Sequence, residues 1–185
     1  MELQININPL ELLSEAENYF SVSFCNDLQL QKPWTYTESL VARYLIEKNK
    51  NLQGAKDPCY SFSSISHKKN LVFIATSDNK IWVDIEIYKQ RWIDLLDTFS
   101  DGEYSILWWK NWDNFYILWT AKESCIKFLN LKLEDMKWIS LISSQKSEYI
   151  FSNLKFFSKH ALEYYNNKIT VYSWWDWEII YSICI

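Results

Sequence analysis

The chain has 185 residues but only 2 glycines, against 11 tryptophans. Glycine takes φ > 0 without steric cost, so it usually closes tight turns, ends helices and lets backbones approach closely. At an average usage of about 7%, a chain this long would hold roughly 13 glycines. Most turns here must therefore be closed by other residues. Any fold that needs positive φ at many points places bulky side chains where they fit badly.

The rest of the composition is that of a foldable chain. Hydrophobic residues make up 49% and charged residues 23%, and the length suits one domain or two small halves sharing a core. The net charge of −4 and sequence pI near 5.3 argue against a nucleic-acid partner, which calls for a basic surface. The start, Met1-Glu2-Leu3-Gln4, lacks a basic segment followed by an apolar core, and no apolar stretch approaches the roughly 18 residues of a membrane helix. Cys25, Cys59, Cys125 and Cys184 are scattered without a C-x-x-C pair, and the histidines are His67 and His160. This pattern disfavours zinc and fits a reduced, cytoplasmic protein with buried thiols and no membrane partner.

Short apolar runs at 3–7 and 18–24 read as strands. Residues 35–49 carry Leu40, Val41, Tyr44 and Leu45 at helical spacing, and 50–59, with Gly54 and Pro58, form a loop. Strands follow at Ser61–Ile65, Leu71–Ser77 and Lys80–Ile87, the last two joined by Asp78-Asn79 as a hairpin turn. Residues 91–107 are helical stretches interrupted at Asp101-Gly102. Residues 113–129 form the clearest helix, capped by Asn111 or Asp113. From 136 onward the chain is strand-like, with Lys168–Ser173 and Glu178–Ile183 framing a short turn. This order predicts two α+β halves, 1–90 and 91–185.

Three segments carry chemistry. In Val83-Asp84-Ile85-Glu86, strand alternation puts Asp84 and Glu86 on one face, where two carboxylates repel each other unless a cation lies between them. Hard oxygen ligands suit Mg²⁺; an ordinary solvated acidic face gives the same pattern. On the later helix, Trp119, Glu123 and Lys127 form an i, i+4, i+8 stripe of aromatic, carboxylate and cation, which also fits a surface ion pair beside a core tryptophan. The third is Ser64-Ile65-Ser66-His67-Lys68-Lys69, a possible phosphate-binding corner or simply an exposed histidine with two lysines.

Taken together, S-H, then V-D-I-E, then W-T-x-K-E-S-x-x-K resemble the 4′-phosphopantetheinyl transferase superfamily, and more specifically its Sfp-type branch. That resemblance implies two pseudo-symmetric α+β halves, each a small antiparallel sheet with a packed helix, and an active site between them. It also implies Mg²⁺ ligands at Asp84, Glu86 and Glu123, with Glu123 and Lys127 catalytic. His67, Arg43, Lys56 and Lys122 would contact coenzyme A, the co-substrate. The implied reaction moves phosphopantetheine to a serine of an apo carrier protein within a monomer; a carrier-binding module of the same fold that no longer transfers is the alternative. The sequence departs from the pattern in places. Lys68 stands where the family often has a second serine, and Gly54-Ala55-Lys56-Asp57-Pro58 spreads out a G-K-P segment.

Trp82 stands where the family usually has glycine, directly before V-D-I-E. Reading glycine for tryptophan also turns Ser173-Trp174-Trp175-Asp176-Trp177-Glu178 into good hairpin chemistry, and Trp108-Trp109-Lys110-Asn111-Trp112-Asp113 into a glycine-rich loop. The expectation is that Trp82, Trp108, Trp109, Trp112, Trp174, Trp175 and Trp177 are UGA codons that the source organism reads as glycine. Trp119 fits its motif as tryptophan.

Overall fold

The computed structural model describes residues 1–6, 8–33, 35–52, 62–69, 71–151, 154–175 and 178–185. It is mixed α+β with antiparallel sheets, as the sequence predicts. Strand β1 (Glu2–Asn6) is followed by helices α1 (Leu13–Tyr19), α2 (Val22–Gln31) and α3 (Tyr36–Leu52). Residues 18–24, expected as a strand, instead end α1 and start α2. The alternation of Phe20, Val22 and Phe24 imitates a strand, but Ser21 caps α2 by accepting the Phe24 N–H at 3.3 Å, and Cys25 and Leu28 then fall on one buried helical face.

β2 (Phe62–Lys68), β3 (Leu71–Ser77) and β4 (Trp82–Ile87) follow. β3 lies between β1 and β2 in a three-stranded antiparallel sheet. Both of its edges are taken, so β3 and β4 do not form the expected hairpin. The turn at 78–81 instead carries the chain into a second sheet.

That second sheet runs β4-β8-β7-β6-β5, every pair antiparallel, with β5 (Ser140–Phe151), β6 (Leu154–Tyr164), β7 (Asn167–Trp175) and β8 (Ile179–Cys184). Before it come α4 (Asp101–Ile106) and α5 (Trp112–Leu129). Asp101-Gly102 begins α4 rather than interrupting a helix, because Ser100 and Glu103 close a capping box around it. Asn111 caps α5 by accepting the Asn114 N–H at 2.9 Å, and Asn130, at φ 57°, ends it.

The elements stack in four layers. Helix α3 covers one face of the three-stranded sheet, with Leu40, Val41 and Leu45 against Val72 and Ile74. The opposite face, Phe73 and Ala75, packs on Val83, Ile85, Tyr181 and Ile183 of the larger sheet. Helix α5 covers the far side of that larger sheet. α5 seats closely because its contact with β8 is made of small residues. Thr120 Oγ1 lies 2.8 Å from Ser182 Oγ, Ser182 Oγ lies 2.7 Å from Ser173 Oγ, and the Cys125 and Cys184 sulfurs are 3.9 Å apart. Cys25, Cys125 and Cys184 are free and buried. No helix among the described residues is long and apolar enough to cross a membrane.

Trp108 has φ 82°, in the region that favours glycine, and its side chain is 72% exposed. Trp174 and Trp175 continue β7 instead of forming a turn, and Trp174 stacks on Tyr181 with ring centroids 4.8 Å apart. Trp177 lies outside the described residues.

Candidate active site

Strand alternation orients β4. Val83 and Ile85 enter the layer between the sheets, so Asp84 and Glu86 face α5. Along its other edge, β4 runs beside β2 and is held by hydroxyls rather than carbonyls. The Val83 N–H donates to Ser64 Oγ at 3.1 Å, and the Ile85 N–H donates to Ser66 Oγ at 3.3 Å.

This arrangement buries two carboxylates side by side, with Asp84 2% and Glu86 7% exposed. Asp84 Oδ1 accepts from Ser66 Oγ at 3.0 Å and from Lys127 Nζ at 2.5 Å. Glu86 Oε1 accepts from Lys68 Nζ at 2.7 Å. The second oxygens, Asp84 Oδ2 and Glu86 Oε2, are buried and have no hydrogen-bond partner among the described residues. A buried, unpaired carboxylate oxygen is costly, and two of them on one face form an acceptor set that suits a hard cation. Burial pushes the Asp84 carboxyl up to about 6; Glu123 adds to the rise, while Lys127 and Ser66 oppose it.

Helix α5 brings the predicted stripe to this strand. Lys127 reaches Asp84 and also lies 3.8 Å from Glu123 Oε2, so its ammonium is shared between the two carboxylates. Trp119, at the head of the stripe, stacks on Phe115 at 5.9 Å. The expected trio of Asp84, Glu86 and Glu123 thus shares one region but not one cage. No three of His, Cys, Asp or Glu among the described residues are close enough together to hold a metal ion. Lys127 provides the counter-charge between Asp84 and Glu123.

The other expected ligand contacts are spread more widely. His67 lies on the face of β2 that Ile65 turns toward α3. Burial lowers its pKa, Glu38 opposes that, and Lys32, Lys127 and Lys68 add to it. Arg43 is exposed on α3 with its guanidinium carbon 6.0 Å from the Phe24 ring centroid, and it joins none of the contacts described at Asp84 and Glu86. Lys56 lies outside the described residues. Lys122 joins none of the contacts described at Asp84 and Glu86. It is 3% exposed and paired with Glu103 of α4 at 2.7 Å, because one residue's rotation about the helix turns it away from Glu123. Ser66 and Lys68, which orient the two carboxylates, were not expected in that role. Their signal is the period-two run Ser64, Ser66, Lys68, a polar strand face that can match Asp84 and Glu86 on a neighbouring strand.

A family model described as the 4′-phosphopantetheinyl transferase superfamily matches residues 83–177, just over half of the chain. The match includes Asp84, Glu86, Glu123 and Lys127 and begins after Ser66, His67 and Lys68. No curated protein matches the chain significantly.

Proposed function

The chain belongs to the 4′-phosphopantetheinyl transferase superfamily, and on that premise we propose that it transfers the 4′-phosphopantetheine group of coenzyme A to a serine of an apo acyl or peptidyl carrier protein, releasing 3′,5′-ADP. The observation that carries this reading is the pair of buried oxygens without a partner among the described residues, Asp84 Oδ2 and Glu86 Oε2, on one strand face, with Lys127 joining Asp84 to Glu123.

Asp84 and Glu86 would hold Mg²⁺ through those oxygens, with Glu123 completing the set from α5. When bound, Mg²⁺ neutralises the diphosphate and stabilises charge on the leaving group. The chain's own residues supply position and charge. Ser66 fixes one Asp84 oxygen, so the other stays turned into the site. Lys127, a third exposed, can leave Asp84 for a phosphate oxygen as that carboxylate takes up a cation. In this reading Glu123, which shares the Lys127 ammonium, would accept the proton from the attacking serine hydroxyl. His67 is the further candidate for a phosphate contact. Strand β4 and helix α5 come together within one chain, so a monomer suffices, and the free thiols of Cys25, Cys125 and Cys184 fit a reducing compartment such as the cytoplasm.

Incubation with coenzyme A, Mg²⁺ and an apo carrier protein tests this. The carrier is expected to gain the mass of one phosphopantetheine group, and chelation with EDTA is expected to stop the gain. Carrier binding without any mass gain, across several carriers, would replace this reading with that of a non-catalytic carrier-binding module.

A further inference from the structure

We propose that Lys68 is a positioning residue that orients Glu86 in the cation-free protein and sets how tightly the carboxylate pair takes a divalent cation. This rests on reading Asp84 and Glu86 as ligands of a hard cation. Lys68 is the last residue of β2, and its ammonium lies 2.7 Å from Glu86 Oε1. The lysine side chain is 38% exposed and the glutamate 9%, so Lys68 caps Glu86 from the solvent side and leaves Oε2 turned inward. Lys127 stands in the same relation to Asp84, with one oxygen covered and the other open. The two carboxylates therefore hold two ammonium groups, one from β2 and one from α5.

A divalent cation entering this pair adds two charges to a site already balanced by two lysines, so the lysines weaken its binding. Both lysines are exposed enough to swing out onto an anionic ligand, which relieves the repulsion. A diphosphate and a divalent cation then each favour the other's binding, and the coupling is reciprocal. Lys68 supplies the half of this device at Glu86, where a serine would leave the carboxylate uncovered.

Mn²⁺ titration of the full chain, without coenzyme A or carrier, tests the proposal through the paramagnetic resonance signal of free Mn²⁺. Removing a unit charge next to a divalent ion in a partly aqueous site changes affinity by roughly tenfold. Lys68→Met is expected to bind Mn²⁺ about tenfold more tightly than wild type, with Lys68→Ser behaving alike and Lys68→Arg restoring wild-type affinity. Equal or weaker Mn²⁺ binding in folded Lys68→Met and Lys68→Ser overturns the role of Lys68. So does Lys68→Arg binding as tightly as Lys68→Met. If Asp84→Asn still abolishes binding in that case, the metal reading survives alone. Absence of Mn²⁺ binding in wild type and every Lys68 variant overturns both.

Discussion

Helix α5 carries two lysines paired with carboxylates, five residues apart and in opposite settings. At Lys122 the partner is fully satisfied. Glu103 Oε1 takes the ammonium at 2.7 Å and the Leu141 N–H at 3.0 Å, while Oε2 takes the backbone N–H and the hydroxyl of Ser100. Burial alone would raise the Glu103 carboxyl, but these donors hold it below its ordinary value. At Lys127 the partner Asp84 is more deeply buried, yet it has one open oxygen and its carboxyl is raised. A satisfied buried pair ties elements together, whereas an incomplete one keeps an acceptor free for another partner.

The largest expected effect separates the two pairs by stability. Lys122→Ala leaves the Glu103 charge buried without its counter-ion, and breaking a buried pair from one side costs about 3–5 kcal/mol. Chemical denaturation is expected to show that loss, with the proposed transfer by the remaining folded protein unchanged at saturating coenzyme A and carrier. A loss below about 1 kcal/mol would break the comparison, because Lys122 would then be as dispensable as a surface pair.

Asp84→Asn reverses the pattern. Transfer is expected to fall roughly 100- to 1000-fold, the scale of losing one electrostatic stabiliser of a transition state. The melting temperature should hold or rise, because a buried, incompletely paired charge is gone. A variant that keeps activity would remove Asp84 from the site; one that unfolds would make Asp84 structural, like Glu103.

The sequence carried the chemistry of this contrast further than its packing. The alternation in Val83-Asp84-Ile85-Glu86 and the i, i+4 spacing of Glu123 and Lys127 follow from strand and helix geometry alone, and the structure brings Asp84, Glu123 and Lys127 together on that basis. The two roles on α5 were not separable, because Lys122 and Lys127 look alike until partners distant in sequence are known. Glu103 reaches Lys122 across the α4–α5 connection, and Ser66 reaches Asp84 from another sheet. The absent β3–β4 hairpin has the same origin. A local turn signal cannot show that β1 already occupies the edge of β3.

His160 sharpens the comparison as a buried polar group with neither kind of partner. It is 1% exposed on β6, and both ring nitrogens lack hydrogen bonds among the described residues. Burial lowers its pKa to about 4. The unfolded chain takes up this proton near the ordinary value of about 6.5, so stability is full above that pH and declines as the pH falls toward 4. At most the loss is about 3 kcal/mol, from some 2.5 units at 1.36 kcal/mol each. His160→Phe is expected to flatten the difference between denaturation curves taken at pH 7 and pH 4.5, with transfer at pH 7 unaltered. An unchanged pH slope would mean that His160 has a partner in solution.

The smallest effect concerns the connection on which the structural pair depends. Glu103 in α4 and Lys122 in α5 are joined through Trp108, an exposed aromatic at φ 82°. A non-glycine side chain in the left-handed region costs about 1–2 kcal/mol, and glycine gives back part of that gain through the entropy of the unfolded chain. Trp108→Gly is therefore expected to stabilise the protein by about 1 kcal/mol, acting at the Glu103–Lys122 end and leaving Mn²⁺ affinity at Asp84 and Glu86 unchanged. The same position bears on the shortage of glycine. If tryptophans here stand for UGA codons that the source organism reads as glycine, the gene carries UGA at Trp108 and at Trp82, beside the carboxylate strand. Stabilisation by Trp108→Gly together with UGG at Trp82 and Trp174 would separate the two, leaving a strained turn in a protein that is rich in tryptophan by its own code.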